Sequence, residues 1–128
     1  MAIQQRNLEN LQFGSLLSAP IKTITAIGDE TGVDFAGFEG DLVVRLNYTA
    51  AGSGATFDFR IEESDTQGGT YTAVAGGAFA QIANAAGAQT LVISKDDTKR
   101  WLRFSVTSDA GTGSSSVSAD YVGVKKYQ

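Results

Sequence analysis

Glu62-Glu63-Ser64-Asp65 gathers three acids within four residues. Paired carboxylates hydrolyse glycosidic bonds when a second acid stands at the right separation beside an aromatic-lined cleft. Glu63 has the parity of the buried face of its segment, where a carboxyl would be enclosed. A place at the rim, where the segment leaves the core, accounts for it more simply. Asp96-Asp97 followed by Lys99-Arg100 has the acids of a metal loop. Calcium loops, however, need spaced, converging carboxylates, a glycine at the sharp turn and a distal bidentate acid. Two adjacent acids point in opposite directions, and a turn is sufficient explanation.

Ser114-Ser115-Ser116 lacks a base, since no Ser-x-x-Lys spacing occurs near it. The Gly-rich pieces do not form G-x-x-x-x-G-K-[ST], and no helix follows to cradle a phosphate. Trp101 and Tyr71, with Tyr48 and Tyr121, have the residue types of a sugar-stacking platform, but aromatics at this density equally suit a β core. The chain has no cysteine and no histidine. That excludes disulfides, thiolate zinc sites, cysteine nucleophiles and every His-dependent triad. The expectation is a non-enzymatic chain with no catalytic residue, cofactor or metal site.

Composition points the same way. The 128 residues suffice for one domain with a sizeable core. Apolar runs reach three or four residues, far short of a membrane span, and residues 1–18 show no apolar core of a signal peptide. A net charge of −4 argues against nucleic acid, which needs a concentrated basic patch. Lys99, Arg100 and Arg103 make a short basic stripe, but Asp96 and Asp97 sit beside it. Neither a nucleic acid nor a membrane is expected as partner.

The elements that would position these residues are strands. Phe57, Phe59 and Ile61 alternate with Asp58, Arg60 and Glu62, which fits a strand with one dry and one wet face. Asp65-Thr66-Gln67-Gly68-Gly69 then predicts a hairpin turn to a short return strand, 70–74. Residues 41–49 put Leu42, Val44, Leu46 and Tyr48 on one face, with Arg45 and Asn47 on the other. Ala51-Gly52-Ser53-Gly54 predicts a second hairpin, joining 41–49 to 56–64. Further strands are predicted over 21–27, 89–94, 100–108 and 115–124. In 100–108, Leu102, Phe104 and Val106 face inward, while Trp101 has the outward parity.

Residues 29–40 are predicted to form a loop in which Val33, Phe35 and Phe38 tuck under the sheet edge. Residues 75–88, almost all Ala and Gly, are predicted to be irregular chain anchored by Phe79 and Ile82. Seven or so strands with regular turn signals and no strong helix predict an all-β fold: an antiparallel β-sandwich, jelly-roll-like, over residues 21–128. Residues 1–20 read as an N-terminal arm, closed by Pro20 and interrupted by Gly14. Its apolar residues Leu8, Leu11, Phe13, Leu16 and Leu17 are the predicted anchors on another chain, because a solvated tail has little use for them; a frayed terminus, and a terminal strand or helix packed on its own domain, are the other readings.

The strand LVVRLNYTA, the hairpin FDFRIEESDTQGGTYTAV, the strand TKRWLRFSVTSDAG and the closing strand VSADYVGVKK together resemble the capsid decoration, or cement, proteins of tailed bacteriophages. IEESDTQGGTYTAV is similar to the Q-E-S-D-D-G-S-x-W type of turn in that group, and RWLRFSVT to its strand after an acidic turn. The likeness spans about residues 41–126; residues 1–40 lie outside it, so no docking mode carries over. It implies a structural protein, made in the bacterial host cytoplasm, that coats the outside of the phage head. Its partner would be the major capsid protein, and it would act as a homo-oligomer, a trimer favoured, bridging capsomers. Binding only the assembled shell, in many copies, would stabilise the shell by mass action and multivalency. A tail-tube, fibre or head–tail joining subunit would use the same architecture. A carbohydrate-binding module would show an aromatic face.

Overall fold

The computed structural model describes residues 10–52 and 54–126. Ten strands run in chain order: β1 (Leu11–Ser15), β2 (Lys22–Ile24), β3 (Gly28–Asp29), β4 (Val33–Asp34), β5 (Phe38–Tyr48), β6 (Thr56–Ser64), β7 (Thr72–Ala78), β8 (Gly87–Ser94), β9 (Trp101–Ala110) and β10 (Ser115–Lys125). A single 3-10 turn, Lys95–Asp97, separates β8 from β9. The strands form two five-stranded sheets. The first has the order β1-β10-β5-β8, with β2 also on β10; the second has β3-β9-β6-β7, with β4 also on β9. All pairings are antiparallel. The chain is an antiparallel β-sandwich, as its alternation predicts.

The core lies between the sheets. Leu42, Val44 and Leu46 of β5 and Val117 and Ala119 of β10 face Phe57, Phe59 and Ile61 of β6 and Leu102, Phe104 and Val106 of β9, all buried. The rings of Phe59 and Phe104 meet at 5.0 Å, and Phe79 closes on Phe104 at 6.1 Å. Phe35 and Phe38 are buried, as the tucked reading of their segment requires, and Phe35 packs edge-on against Tyr121 at 4.8 Å. Phe79 and Ile82 anchor the crossing from β7 to β8; Ile82 exchanges both backbone hydrogen bonds with Phe57.

Five expectations need correction. The segment 51–54 does not make a hairpin, because β5 and β6 belong to different sheets. Ala51 and Ala55 are buried, and the chain arches across one end of the sandwich. Gly52 and Gly54, with φ of 69° and 72°, supply left-handed backbone that costs other residues energy. Glycine-rich turns serve an arch between sheets as well as a hairpin. Residues 29–40 are not a plain loop but contain β4 and the start of β5, and 21–27 splits into β2 with β3 just beyond it, on opposite sheets. The irregular stretch 75–88 shrinks to 79–86, since β7 runs to Ala78 and β8 begins at Gly87.

The fifth correction concerns the arm. Leu11–Ser15 pairs with β10 over five residues, Leu11 opposite Val124 through Ser15 opposite Asp120. Leu16 and Leu17 are only 1% and 7% exposed and belong to the core of their own domain. The boundary at residue 20 therefore does not hold for the described part of the arm, and Leu16 and Leu17 are not anchors on another chain. Their burial satisfies the apolar surface that made an external partner attractive. Gly14, read as an interruption, sits where the Tyr121 ring crosses β1; a Cβ there would overlap the phenol. Leu8 lies outside the described residues.

Candidate functional site

The two sheets turn very different outer faces to solvent. On the second sheet, Glu62 of β6 stands opposite Arg103 of β9. Although its parity is outward, Glu62 is buried, because two arginines lie over it. Arg103 donates from Nε to Oε1 at 2.8 Å and brings Nη2 into ion-pair contact with it at 2.7 Å. Arg60 donates from Nε to Oε2 at 2.8 Å and brings Nη2 into ion-pair contact with it at 2.6 Å. Each carboxylate oxygen of Glu62 thus accepts from its own guanidinium. Arg103 also stacks on Tyr71, 4.1 Å from the ring centroid, and approaches Asp29 Oδ2 at 3.3 Å. Ser105 Oγ donates to Asp29 Oδ1 at 2.6 Å. The network closes this face with its charges satisfied.

The other acids of the Glu62–Asp65 cluster point elsewhere. The Lys99 backbone N–H lies 3.4 Å from the Glu63 carboxylate at the rim, and Asp65 is exposed in the turn, 4.0 Å from Lys99 Nζ. They do not converge as a hydrolytic pair. Asp96 accepts from the Gly40 N–H at 3.3 Å, so its carboxylate ties the turn to β5. Among the described residues no three acids are grouped to hold a metal ion. Nor do the aromatics make a platform: Tyr121 packs into the core and Tyr71 lies under Arg103.

At the edge of the second sheet, Arg100 donates to both Asp34 oxygens, at 2.9 and 2.8 Å. The Arg100 hydrogen bonds, aided by the Ala36 N–H, hold the Asp34 carboxyl down at about 2. A depressed folded-state pKa contributes stability that is present above the unfolded value of 3.8 and lost as pH falls toward 2. The melting-temperature gap between the wild type and Asp34→Asn should therefore be constant above about pH 5 and close by about pH 2. The gap is expected to be small, since water screens a pair this exposed. A gap unchanged at pH 2 would contradict the assignment.

The outer face of the first sheet is different. Residues directly opposite in register share a face. Phe13 lies opposite Val122, Val122 opposite Val43, and Val43 opposite Val92. This aligns an apolar row across all four strands, β1-β10-β5-β8, pointing away from the core. Phe13 is 69% exposed and Val92 60%. Leu11 and Val124 extend the row on one side. On the other side a parallel row runs Ser15–Asp120–Arg45–Thr90. Shallow grooves border the face, one lined by Phe13, Pro20 and Tyr121 and one by Ile21 and Tyr48. Of the predicted anchors, Leu11 and Phe13 thus do face outward, as part of a sheet rather than a free arm. Val43, Val122 and Val92 went unrecognised; the signal was their apolar type at outward parity, as in Leu42-Val43-Val44.

No protein-family model matches the sequence, and no curated protein matches it. Solved structures do match in fold. The SPBc2 prophage-derived protein YomS superposes with a TM-score of 0.54 at 15% identity, covering 90% of this chain and 93% of YomS. The Eiger TNF of S. frugiperda gives 0.51 at 7% identity, covering 89% and 90% of the two chains. The CBM22-1–GH10 portion of Clostridium thermocellum xylanase 10B gives 0.52 at 7% identity, with 94% of this chain on 25% of that one. At such identities the likeness is one of fold.

Proposed function

We propose that this chain is a non-enzymatic structural protein of a bacteriophage virion, bound to the outside of the capsid and stabilising it by bridging capsomers. The observation that carries the reading is the contrast between the two outer faces: an ionic network that satisfies its own charges, and a four-strand apolar row left open for association. A protein whose described residues offer a surface but no converging reactive groups is built to adhere. The YomS likeness, which covers nine-tenths of both chains, supports a phage setting, as does the resemblance of residues 41–126 to decoration proteins. Covering the apolar row, at about 25 cal/mol per Å² removed from water, supplies the energy that joins copies of the chain, and joined copies bridge capsomers.

The test is to purify particles from the strain carrying the gene on a density gradient and count copies of the chain by quantitative mass spectrometry. Copy numbers comparable to the capsomer count support decoration. A number in single or low double digits per particle would replace it with a head–tail joining role. Absence from particles, with retention on xylan or cellulose, would favour a carbohydrate-binding module.

A further inference from the structure

We propose that the outer face of the first sheet is occupied by a second copy of this chain, the two sheets packing face to face about a two-fold axis that runs parallel to the strands midway between β10 and β5. The reason is that the face is complementary to itself. Such an axis carries β10 of one copy over β5 of the other and β1 over β8. The apolar row then meets itself: Phe13 covers Val92 of the second copy, and Val122 covers Val43. The neighbouring row meets itself as well, and there the pairing is between charges. Asp120 of each copy comes over Arg45 of the other, giving two symmetric acid–base contacts.

The charges on this face are available for that use. Asp120 and Arg45 lie opposite each other in register. Arg45 nevertheless donates to Thr90 Oγ1 at 2.8 Å, and no side-chain hydrogen bond or ion pair holds Asp120 among the described residues. This contrasts with Asp29, Asp34 and Glu62 on the other sheet, which are all held by arginines. The size is also adequate. Strands about 4.8 Å apart, with β10, β5 and β8 contributing about eight residues each and β1 five, at about 3.3 Å per residue, present roughly 450 Å². Two such faces bury on the order of 900 Å², at the small end of specific interfaces. Stacked sheets pack about 10 Å apart, a gap that an arginine and an aspartate can span. The pairing does not depend on whether a capsid is the larger partner, because it is a property of the free protein.

The full-length chain should sediment at twice the chain mass at micromolar concentration in analytical ultracentrifugation. Asp120→Arg sets arginine against arginine across the axis in both contacts, and Arg45→Asp sets acid against acid. Each variant alone should be monomeric and folded by circular dichroism, because both positions are exposed, with a melting temperature lowered modestly by the like charges now opposite in register within the sheet. Mixed in equal amounts, the two should form a one-to-one heterodimer, since every contact across the axis is then between opposite charges. Val92→Lys serves as a second disruption, at a site whose exposure leaves folding intact. A monomeric or trimeric wild type, single variants that remain dimeric, or variants that fail to recombine on mixing would each overturn the proposal.

Discussion

Replacing Phe104 by alanine is expected to destabilise the fold by about 3–5 kcal/mol, a large part of the total stability of a domain this size. Phe104 is fully buried at the centre of β9, touching Phe59 at 5.0 Å and Phe79 at 6.1 Å. Phe79 comes from the crossing between the sheets, so removing the Phe104 ring opens a cavity where β6, β9 and the crossing converge. Neighbouring rings cannot swing in without leaving their own rotamer wells, and the cost therefore includes the unfilled cavity as well as lost transfer energy. Urea denaturation followed by tryptophan fluorescence, reporting from Trp101, measures it. A change under about 1 kcal/mol would mean that this face of β9 is not the core face.

The second large effect is at the other end of the chain. Deleting residues 2–18 should prevent the domain from folding. Leu16→Ala alone should cost about 2–5 kcal/mol. Deletion removes β1 from the edge of β10, leaving five residues of that strand paired with β5 alone, and empties the places of Leu16 and Leu17 in the core. It also uncovers Tyr121, whose ring packs beside Gly14. Burial pushes the Tyr121 hydroxyl above its ordinary pKa. A tyrosine titrating normally in the truncated chain would report that opening, alongside a lost thermal transition. A truncated protein that melts cooperatively near the wild-type temperature would restore the division between arm and domain that β1 contradicts.

The core was legible in the sequence wherever a strand alternates at period two. Phe57, Phe59 and Ile61, the Leu42–Leu46 set and the Leu102–Val106 set all fall on the faces that their parity assigns. Connectivity was less legible. The Gly-rich stretch after Tyr48 has the same composition whether it folds strands side by side or arches them across the core, and only the partner strands decide. β1 was hidden because Gly14 looks like a breaker until Tyr121 is seen to fill the space beside it. Glu62 shows a different limit: parity gives the side of a sheet, not what lies over it. Two long arginine stems bury a residue whose pattern says exposed. The apolar row escaped notice because its members come from four strands distant in sequence, each contributing one residue that looks ordinary alone.

The central claim is that this chain rides on the outside of a phage head as a structural subunit. The most direct measurement is immunogold electron microscopy of intact, unpermeabilised particles from the strain that carries the gene, with an antibody raised against the folded chain. The account predicts gold distributed over the whole head surface and absent from tails, with labelling lost in particles from a gene-deleted strain. Gold confined to the tail, to the neck, or to no particle at all would contradict it.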